Sequence, residues 1–464
     1  MPYNSVGTKP LTNNSYVNSL LWDGDYWKNP TTTKNSTTII PYSFLQPGSE
    51  SFDDAYGDVV TQAYLWSNSE IQAIQTGLKA WSNVANISFV PTVSNSSTAT
   101  LKFYLVDTAQ LDSDNDSSTT TLGRFKTPGE PGMGTGYFNW QGWNESNLQP
   151  GGYGFATILH ELGHGLGLAH PHDNAGGSLV FPGVTPGKPD DRGNYGLNQD
   201  IWTIMSYNSF VDGILPPGSS YGYQATPSAL DIAAIQYLYG ANTTYNTGNN
   251  TYILPVDNDF EPYYFTIWDA GGIDTITAQT ATASTTINLN QAPLVGSNAG
   301  GYLCGVTGIY GGATIANGVT IENAIAGKGN DLIIGNSASN KLTGLEKSDR
   351  LSGGSGNDTL TGSNPGVLNS GAGEYDTLTG GLGADLFVLG DSAKPYYQDK
   401  GYATITDFSL AEGDKLQVFG SASDYIVQVD QQDVLIGYGT DTIVLIKNAA
   451  SIANSLKTQG FSLV

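Results

Sequence analysis

From Ala326 onward the chain repeats itself every nine residues. Successive windows read "AGKGNDLII", "GNSASNKLT", "GLEKSDRLS", "GGSGNDTLT", "GSNPGVLNS", "GAGEYDTLT" and "GGLGADLFV". The sixth position is acidic in five of these seven windows: Asp331, Asp349, Asp358, Asp376 and Asp385. The eighth is apolar in six: Ile333, Leu342, Leu351, Leu360, Leu378 and Phe387. A Gly/Asp-rich flexible linker has no reason to hold an apolar residue at a constant phase. Nonapeptides of the form G-G-x-G-x-D-x-U-x instead mark parallel β-rolls that bind calcium, so residues 326 to 388 are expected to coil into one.

In such a coil the glycines let the backbone turn tightly and aim carbonyls inward, while the aspartate supplies a hard anionic oxygen. The candidate calcium residues are therefore Gly327, Gly329, Asp331, Asp349, Gly353, Gly354, Gly356, Asp358, Asp376, Gly381, Gly383 and Asp385. If each window is half a coil, windows two apart stack on one edge. That places Asp331 with Asp349 and Asp358 with Asp376. Asn340 weakens one site, and "GSNPGV" offers no carboxylate, so the pair ending at Asp385 is expected to be the poorest.

The remainder of the 464 residues is different in kind. Ser67 and Glu70 have capping-box spacing, and Ile71, Ile74, Leu78 and Trp81 recur on one helical face, predicting a helix over 67–81. The stretches "ISFVPT", "ATLKFYLVDT" and "GTGYFNW" read as strands, and "PSALDIAAIQYLYG" as a helix ending at Gly240. A polar junction, "ANTTYNTGNNTY", follows, so two domains are expected, over 1–241 and 242–464. The alternating "DYIVQVD" and "DTIVLIK" add ordinary strands near the end.

Fifty-nine glycines exclude an all-helical fold. A net charge of −24 repels nucleic acid and anionic membranes and suits calcium. Cys304 is the lone cysteine, so no intrachain disulfide forms and stability must come from packing or metals. The N-terminus "MPYNSVGTKPLTNNSYVNSLLWDGDYW" lacks the pattern of an ordinary signal peptide, and no apolar run reaches membrane-spanning length.

All four histidines fall within "GFATILHELGHGLGLAHPHD". His160 and His164 lie one helical turn apart on one face, with Glu161 beside them. Phe155, Ile158, Leu159, Leu162 and Leu166 can bury such a helix, although Gly163, Gly165 and Gly167 each cost it about 1 kcal/mol relative to alanine. A left-handed Gly167 can end the helix and fold the chain back, letting His170 supply a third nitrogen. Three imidazoles fit Zn2+ with an open position for water. His172 and Asp173 lie outside this H-E-x-x-H-x-x-G-x-x-H pattern and are expected at the surface or behind the ligands.

The long histidine motif, Pro171, the "TIMSY" segment with Met205 and Tyr207, the helix "LDIAAIQYLYG" and the downstream nonapeptides together resemble the serralysin family of metzincin zinc proteases. The likeness runs over about residues 38 to 420. It implies an α+β zincin-like catalytic domain followed by an all-β parallel β-roll (calcium-binding) domain. It also implies that Met205 floors the site and that Tyr207 is a releasable zinc ligand whose hydroxyl steadies the tetrahedral oxyanion. "WDAGGIDT" resembles the family's first calcium site, giving Asp269, Gly271 and Asp274 that role; Asn246 and Asn249 stand where its partner segment is usually charged.

Carried onto these residues, the mechanism has Glu161 as general base and then as proton donor to the leaving amine of a peptide bond. The strand around "GTGYFNW" is expected to pair with extended substrates by β-augmentation, giving broad specificity. The implied setting is extracellular, reached by a signal-peptide-independent, type I secretion apparatus. The expected partners are protein or peptide substrates and a protein inhibitor, with no nucleic acid and no membrane insertion, and the chain is expected to be a monomer. The competing reading is a non-catalytic calcium-binding surface or adhesion protein with a decayed protease domain; Glu161, His160, His164, His170 and Tyr207, all intact, argue against it.

Overall fold

The computed structural model describes residues 4–29, 36–47, 52–53, 59–60, 63–96, 98–111, 121–143, 145–174, 177–210, 220–259 and 261–464. In the N-terminal half, five strands form one sheet: β1 (Thr38–Phe44), β2 (Ile87–Pro91), β3 (Leu101–Val106), β4 (Gly123–Phe125) and β5 (Thr135–Asn139). Their spatial order is β2-β1-β3-β5-β4. All pairs are parallel except the outermost, where β4 runs antiparallel to β5 with Arg124 opposite Tyr137.

Helix α1 (Asn68–Val84) begins at the expected capping box, Ser67 accepting from the Glu70 N–H while Glu70 accepts from the Ser67 N–H. Its buried stripe of Ile74, Leu78 and Trp81 packs on helix α2 (Tyr153–Gly165), which carries the first two histidines. The helices approach closely at Gly77, where a Cβ would lie 2.9 Å from Ile158 and Leu162. Trp81 Nε1 donates to the Leu159 carbonyl at 3.2 Å, tying the two axes together. Between helices and sheet lie Phe103, Phe125 and Phe138, with ring centroids 5.9 to 6.5 Å apart. Burying aromatic rings of this size supplies about 2–3 kcal/mol each. Helix α3 (Ala229–Tyr239) ends at Gly240, as the sequence predicts, and starts with a second capping box from Ser228 and Asp231.

After residue 250 strands dominate. Among the described residues, Thr251–Ile253, Thr275–Thr277, Asn323–Ile325, Lys341–Leu345, Thr359–Ser363, Leu386–Val388, Lys415–Val418 and Phe461–Leu463 form one wholly parallel sheet. A second sheet has Thr285–Asn288, Leu332–Ile334, Arg350–Ser355, Tyr375–Leu382, Tyr402–Ile405 and Asp441–Ile446 parallel at its centre. Through the repeat the chain alternates between the two sheets. The apolar eighth-position residues fill the space between them: Ile333, Leu342, Leu351, Leu360, Leu378 and Phe387 are all buried. The late strands also form, with Tyr425–Asp430 and Asp441–Ile446 flanking Asp433–Tyr438 in antiparallel register.

One register differs from the sequence expectation. Asp331 does stack with Asp349, since Leu332 pairs with Arg350. Asp349, however, stacks with Asp376, and Asp358 with Asp385; Asp358 does not meet Asp376. The cause is the window "GSNPGVLNS", which makes no strand of its own beyond Ser363 and leaves the coil as turns. It has no apolar residue at the eighth position to hold it between the sheets. With one window extruded, the two after it move on by nine residues, and the spacing between stacked acids becomes 27 rather than 18. The Asp385 position consequently stacks on Asp358, a full carboxylate, not on the acid-free window from which the expectation of a poor site came.

Candidate active site

The zinc-type motif is positioned by close contacts at its glycines. A Cβ on Gly163 would lie 2.6 Å from Met205 Sδ, and one on Gly165 would lie 2.8 Å from the Phe125 ring. The helix-weakening residues are thus the places where the helix meets its floor and its sheet. Gly167 has φ +107°, a conformation that admits no side chain easily, and the Asp25 carbonyl closes over it. The chain reverses there, and His170 returns to face His160 and His164.

The three Nε2 atoms converge at 2.9 to 3.2 Å from one another. Each Nδ1 is already committed: His160 Nδ1 to the Ile204 carbonyl at 2.7 Å, His164 Nδ1 to the Leu168 carbonyl at 2.8 Å, and His170 Nδ1 to Asp173 Oδ2 at 3.0 Å. With a proton on each Nδ1, all three Nε2 atoms present lone pairs to a common point. Three lone pairs so close repel one another unless a cation lies between them. Bonds of ~2 Å to a tetrahedral zinc separate nitrogens by roughly 3.3 Å, close to the spacing found. Burial lowers His160 to about 3, with His170 adding to the effect, and lowers His164 still more clearly, so both rings stay neutral and able to ligate.

Glu161 lies buried alongside, and its Oε2 makes no hydrogen bond. Burial raises its carboxyl to about 8, against the opposing pull of the Arg124 cation. Room for it comes from Gly123 on β4, where a Cβ would meet Glu161 Cγ at 2.7 Å. Tyr207 stands over the opening, its ring centroid 4.7 Å from that of His170 and 5.5 Å from that of His160. It remains 59 % exposed. Desolvation by the cleft walls and the nearby Glu161 push its hydroxyl upward, so it stays a donor. The cleft extends both ways from these residues: past Thr157, Tyr153 and Tyr223 on one side, and past Trp22, Arg124 and Lys126 on the other.

Met205 is fully buried and packs against Gly163, between the two histidines of the helix in sequence. His172 stacks on His170 with centroids 5.0 Å apart, and Asp173 orients His170, so both stand behind the ligands. Two features of the histidine site escaped the sequence reading. The first is Asp231, whose fully buried carboxylate accepts from Thr203 Oγ1 at 2.6 Å, the Ile204 N–H at 2.7 Å and the Ser228 N–H at 3.0 Å. A capping-box acid read as a helix start also pins the loop beneath the site. The second is the identity of the cleft's edge strand. The strand around "GTGYFNW" is β5, enclosed between β3 and β4, so it cannot pair with substrate; among the described residues β4 is outermost, and it borders Glu161.

The calcium candidates fall into two groups. Asp269 and Asp274 are buried close together: Asp269 Oδ1 accepts the Gly271 N–H, and Asp274 Oδ1 accepts the Asn250 N–H. Glu322, missed in the sequence, accepts the Asp274 N–H at 2.8 Å, and Asn249 accepts the Ile273 N–H. Asp274 Oδ2 is buried without a partner. In the repeat, Asp331, Asp349 and Asp376 form one ladder and Asp358 and Asp385 another, each acid's Oδ1 taking a backbone N–H of the coil before. Gly327, Gly353, Gly354, Gly356, Gly381 and Gly383 approach neighbouring backbone or the acids closely, and Gly329 approaches Ser284.

Three imidazoles on a helix and its return, a glutamate beside them, and a methionine loop below define a metzincin-type metallopeptidase site. Comparison with known proteins agrees. The Matrixin family matches residues 55–202, and the family described as Peptidase M10 serralysin C terminal matches residues 229–457. The chain is 32% identical over 332 residues to Serralysin of Photorhabdus laumondii subsp. laumondii, covering 69% of this chain and 63% of that protein. It is 34% identical to Metallopeptidase AprA of Pseudomonas marginalis, over 66% of this chain and 62% of that one. With Metalloprotease AprA of Pseudomonas entomophila the identity is 31%, over 73% and 67%. The chain belongs to the serralysin family of metzincin metalloproteases. It spans less than two thirds of the length of the first two of these relatives.

Proposed function

We propose that this chain is a secreted, zinc-dependent and calcium-stabilised endopeptidase of broad specificity, with an α+β zincin-like catalytic domain over 1–241 and a calcium-binding β-roll over 242–464. The observation that carries the reading is the convergence of three Nε2 lone pairs at 2.9 to 3.2 Å beside the buried Glu161, whose Oε2 makes no hydrogen bond. His160, His164 and His170 would hold the metal, whose chemistry is to polarise a carbonyl and to lower the pKa of water. Glu161 accepts the proton of the attacking water and passes it to the leaving amine. Its buried, desolvated setting keeps proton affinity high enough for both transfers. Tyr207 donates its hydroxyl to the oxygen on which charge develops.

An extended substrate lies along β4, where backbone hydrogen bonds give affinity with little demand on sequence. Asp269, Gly271, Asp274 and the repeat acids Asp331, Asp349, Asp358 and Asp385 would hold calcium, and ion binding would then supply folding free energy to the strand-rich half. Among the described residues no helix is long and apolar enough to cross a membrane. Export in this reading uses the C-terminal, type I route, and the working form is a monomer. The rival, a calcium-binding surface protein with a decayed site, leaves the convergent histidines and the unmet Glu161 Oε2 without a use.

The test is hydrolysis of unfolded casein by the chain in calcium, with and without zinc chelation. The expected result is cleavage that chelation abolishes and added zinc restores. Folded, zinc-loaded chain that cleaves nothing would overturn the proposal.

A further inference from the structure

The repeat does not treat its carboxylates alike. Asp349, Asp358 and Asp385 are each at most 2 % exposed, and in each the Oδ2 atom makes no hydrogen bond. Each such oxygen points at the glycine five residues upstream: a Cβ on Gly344, Gly353 or Gly380 would lie 2.1 to 2.2 Å from it. A buried carboxylate oxygen with no donor is costly unless a cation meets it. A cradle bounded by glycine backbone and a carboxylate suits a hard, oxygen-seeking ion.

Asp376 occupies the same place in its ladder, its Oδ1 accepting the Asp349 N–H at 2.8 Å. Its Oδ2 differs, because it accepts the Tyr397 hydroxyl at 2.5 Å. The glycine facing this oxygen is Gly362, where a Cβ would lie 2.2 Å from Asp376 Oδ2 and 2.4 Å from the Tyr397 hydroxyl. The phenol therefore stands on the glycine side of the carboxylate, where the other three acids have an unmet oxygen. Tyr397 reaches this position because of the extruded window. Ser363 and Ser370 close the base of the excursion with a 2.8 Å hydroxyl pair, and the Tyr397 N–H donates to the Ser370 carbonyl at 2.8 Å. Its ring lies against Gly371 and is fully buried, and that burial beside Asp376 holds the phenol protonated.

We propose that Tyr397 is a built-in substitute for calcium at Asp376, so that this coil closes without an ion while Asp349, Asp358 and Asp385 depend on one. The inference rests on the calcium reading above and sharpens it. It makes the coil at the extruded window the part of the repeat that orders in low calcium, from which the ion-dependent coils extend.

The experiment counts calcium bound to the full chain at saturation by equilibrium dialysis, for wild type, Asp358→Asn, Asp376→Asn and Tyr397→Phe. Asp358→Asn is expected to lower the count by about one ion per chain or more. Asp376→Asn is expected to keep the wild-type count, and Tyr397→Phe to keep it or raise it. Loss of an ion in either of the last two would overturn the proposal, since the pair would then be ligands. An unchanged count in Asp358→Asn would overturn the assignment of the unmet oxygens. Should Tyr397→Phe not fold, Asp376→Asn decides, because an amide oxygen still accepts the phenol. Wild type that binds no calcium would instead overturn the calcium reading itself.

Discussion

Asp231 and Ile204 are joined by a 2.7 Å hydrogen bond from the Ile204 N–H to the carboxylate, and the Ile204 carbonyl in turn accepts His160 Nδ1 at 2.7 Å. The start of helix α3 thereby fixes the tautomer and orientation of a histidine on helix α2. Outer partners of this kind tune metal affinity by about 10–100-fold. Asp231→Ala, which removes the acceptor of the Ile204 N–H, is expected to weaken zinc binding by about that factor while the far-ultraviolet spectrum stays unchanged. Competition with a chromophoric chelator measures it, and wild-type affinity would show that the link does not matter.

Gly123→Ala is expected to separate zinc binding from turnover. The added methyl would sit 2.7 Å from Glu161 Cγ and must displace the carboxylate, since its three nearest atoms all belong to Glu161. Misplacing a proton-transfer group by an ångström can cost about 100-fold in rate. Peptidase kinetics should therefore show a fall in kcat of about 10-fold or more with zinc content intact. Unchanged kcat would mean that β4 does not confine Glu161.

Tyr207→Phe removes a hydroxyl from the mouth of the site without altering the histidine cradle. Loss of one oxyanion donor costs about 100-fold in kcat. Steady-state kinetics should place most of that loss in kcat and little in KM. A variant with normal kcat and raised KM would assign Tyr207 to substrate binding instead.

The buried acids of the repeat give the metal-free chain an unusual pH response. Burial raises Asp358, and Asp414, which takes the Asp385 N–H just beyond the repeat, to about 6, and Asp349 to about 9, all from an ordinary 3.8. The folded form then holds more protons than the unfolded one, so stability falls as pH rises. In chelator, the strand-rich half should be most stable near pH 4, lose stability toward pH 6, and continue to lose it toward pH 9. Calcium should reverse the trend, because it meets the ionised carboxylates. Thermal unfolding across pH, with and without calcium, reads both curves; stability that rises with pH in chelator would contradict the account.

How much of this was legible in the sequence depended on whether the signal was local. The histidine spacing, the reversal at Gly167 and the apolar phase of the repeat each act within a few residues, and the sequence reading placed them correctly. The stacking of Asp358 was not legible, because seven windows of equal length look alike until one fails to hold its place between the sheets. Nor was the edge strand: "GTGYFNW" reads as a strand, and only long-range pairing shows that Gly123–Phe125 lies outside it. Asp231 announced itself as a helix cap, and its hold on Ile204, 27 residues earlier, is visible only when the two are folded together. Tyr397 carried no motif at all; its role follows from the gap that the extruded window opens.

The central claim is that three histidines hold a zinc ion on which Glu161 acts. The most direct measurement is cleavage of an internally quenched peptide by zinc-loaded wild type and Glu161→Gln, with the metal content of both determined on the same samples. The account predicts equal zinc and a rate at least about 1,000-fold lower in the variant. Equal zinc with an undiminished rate would contradict it.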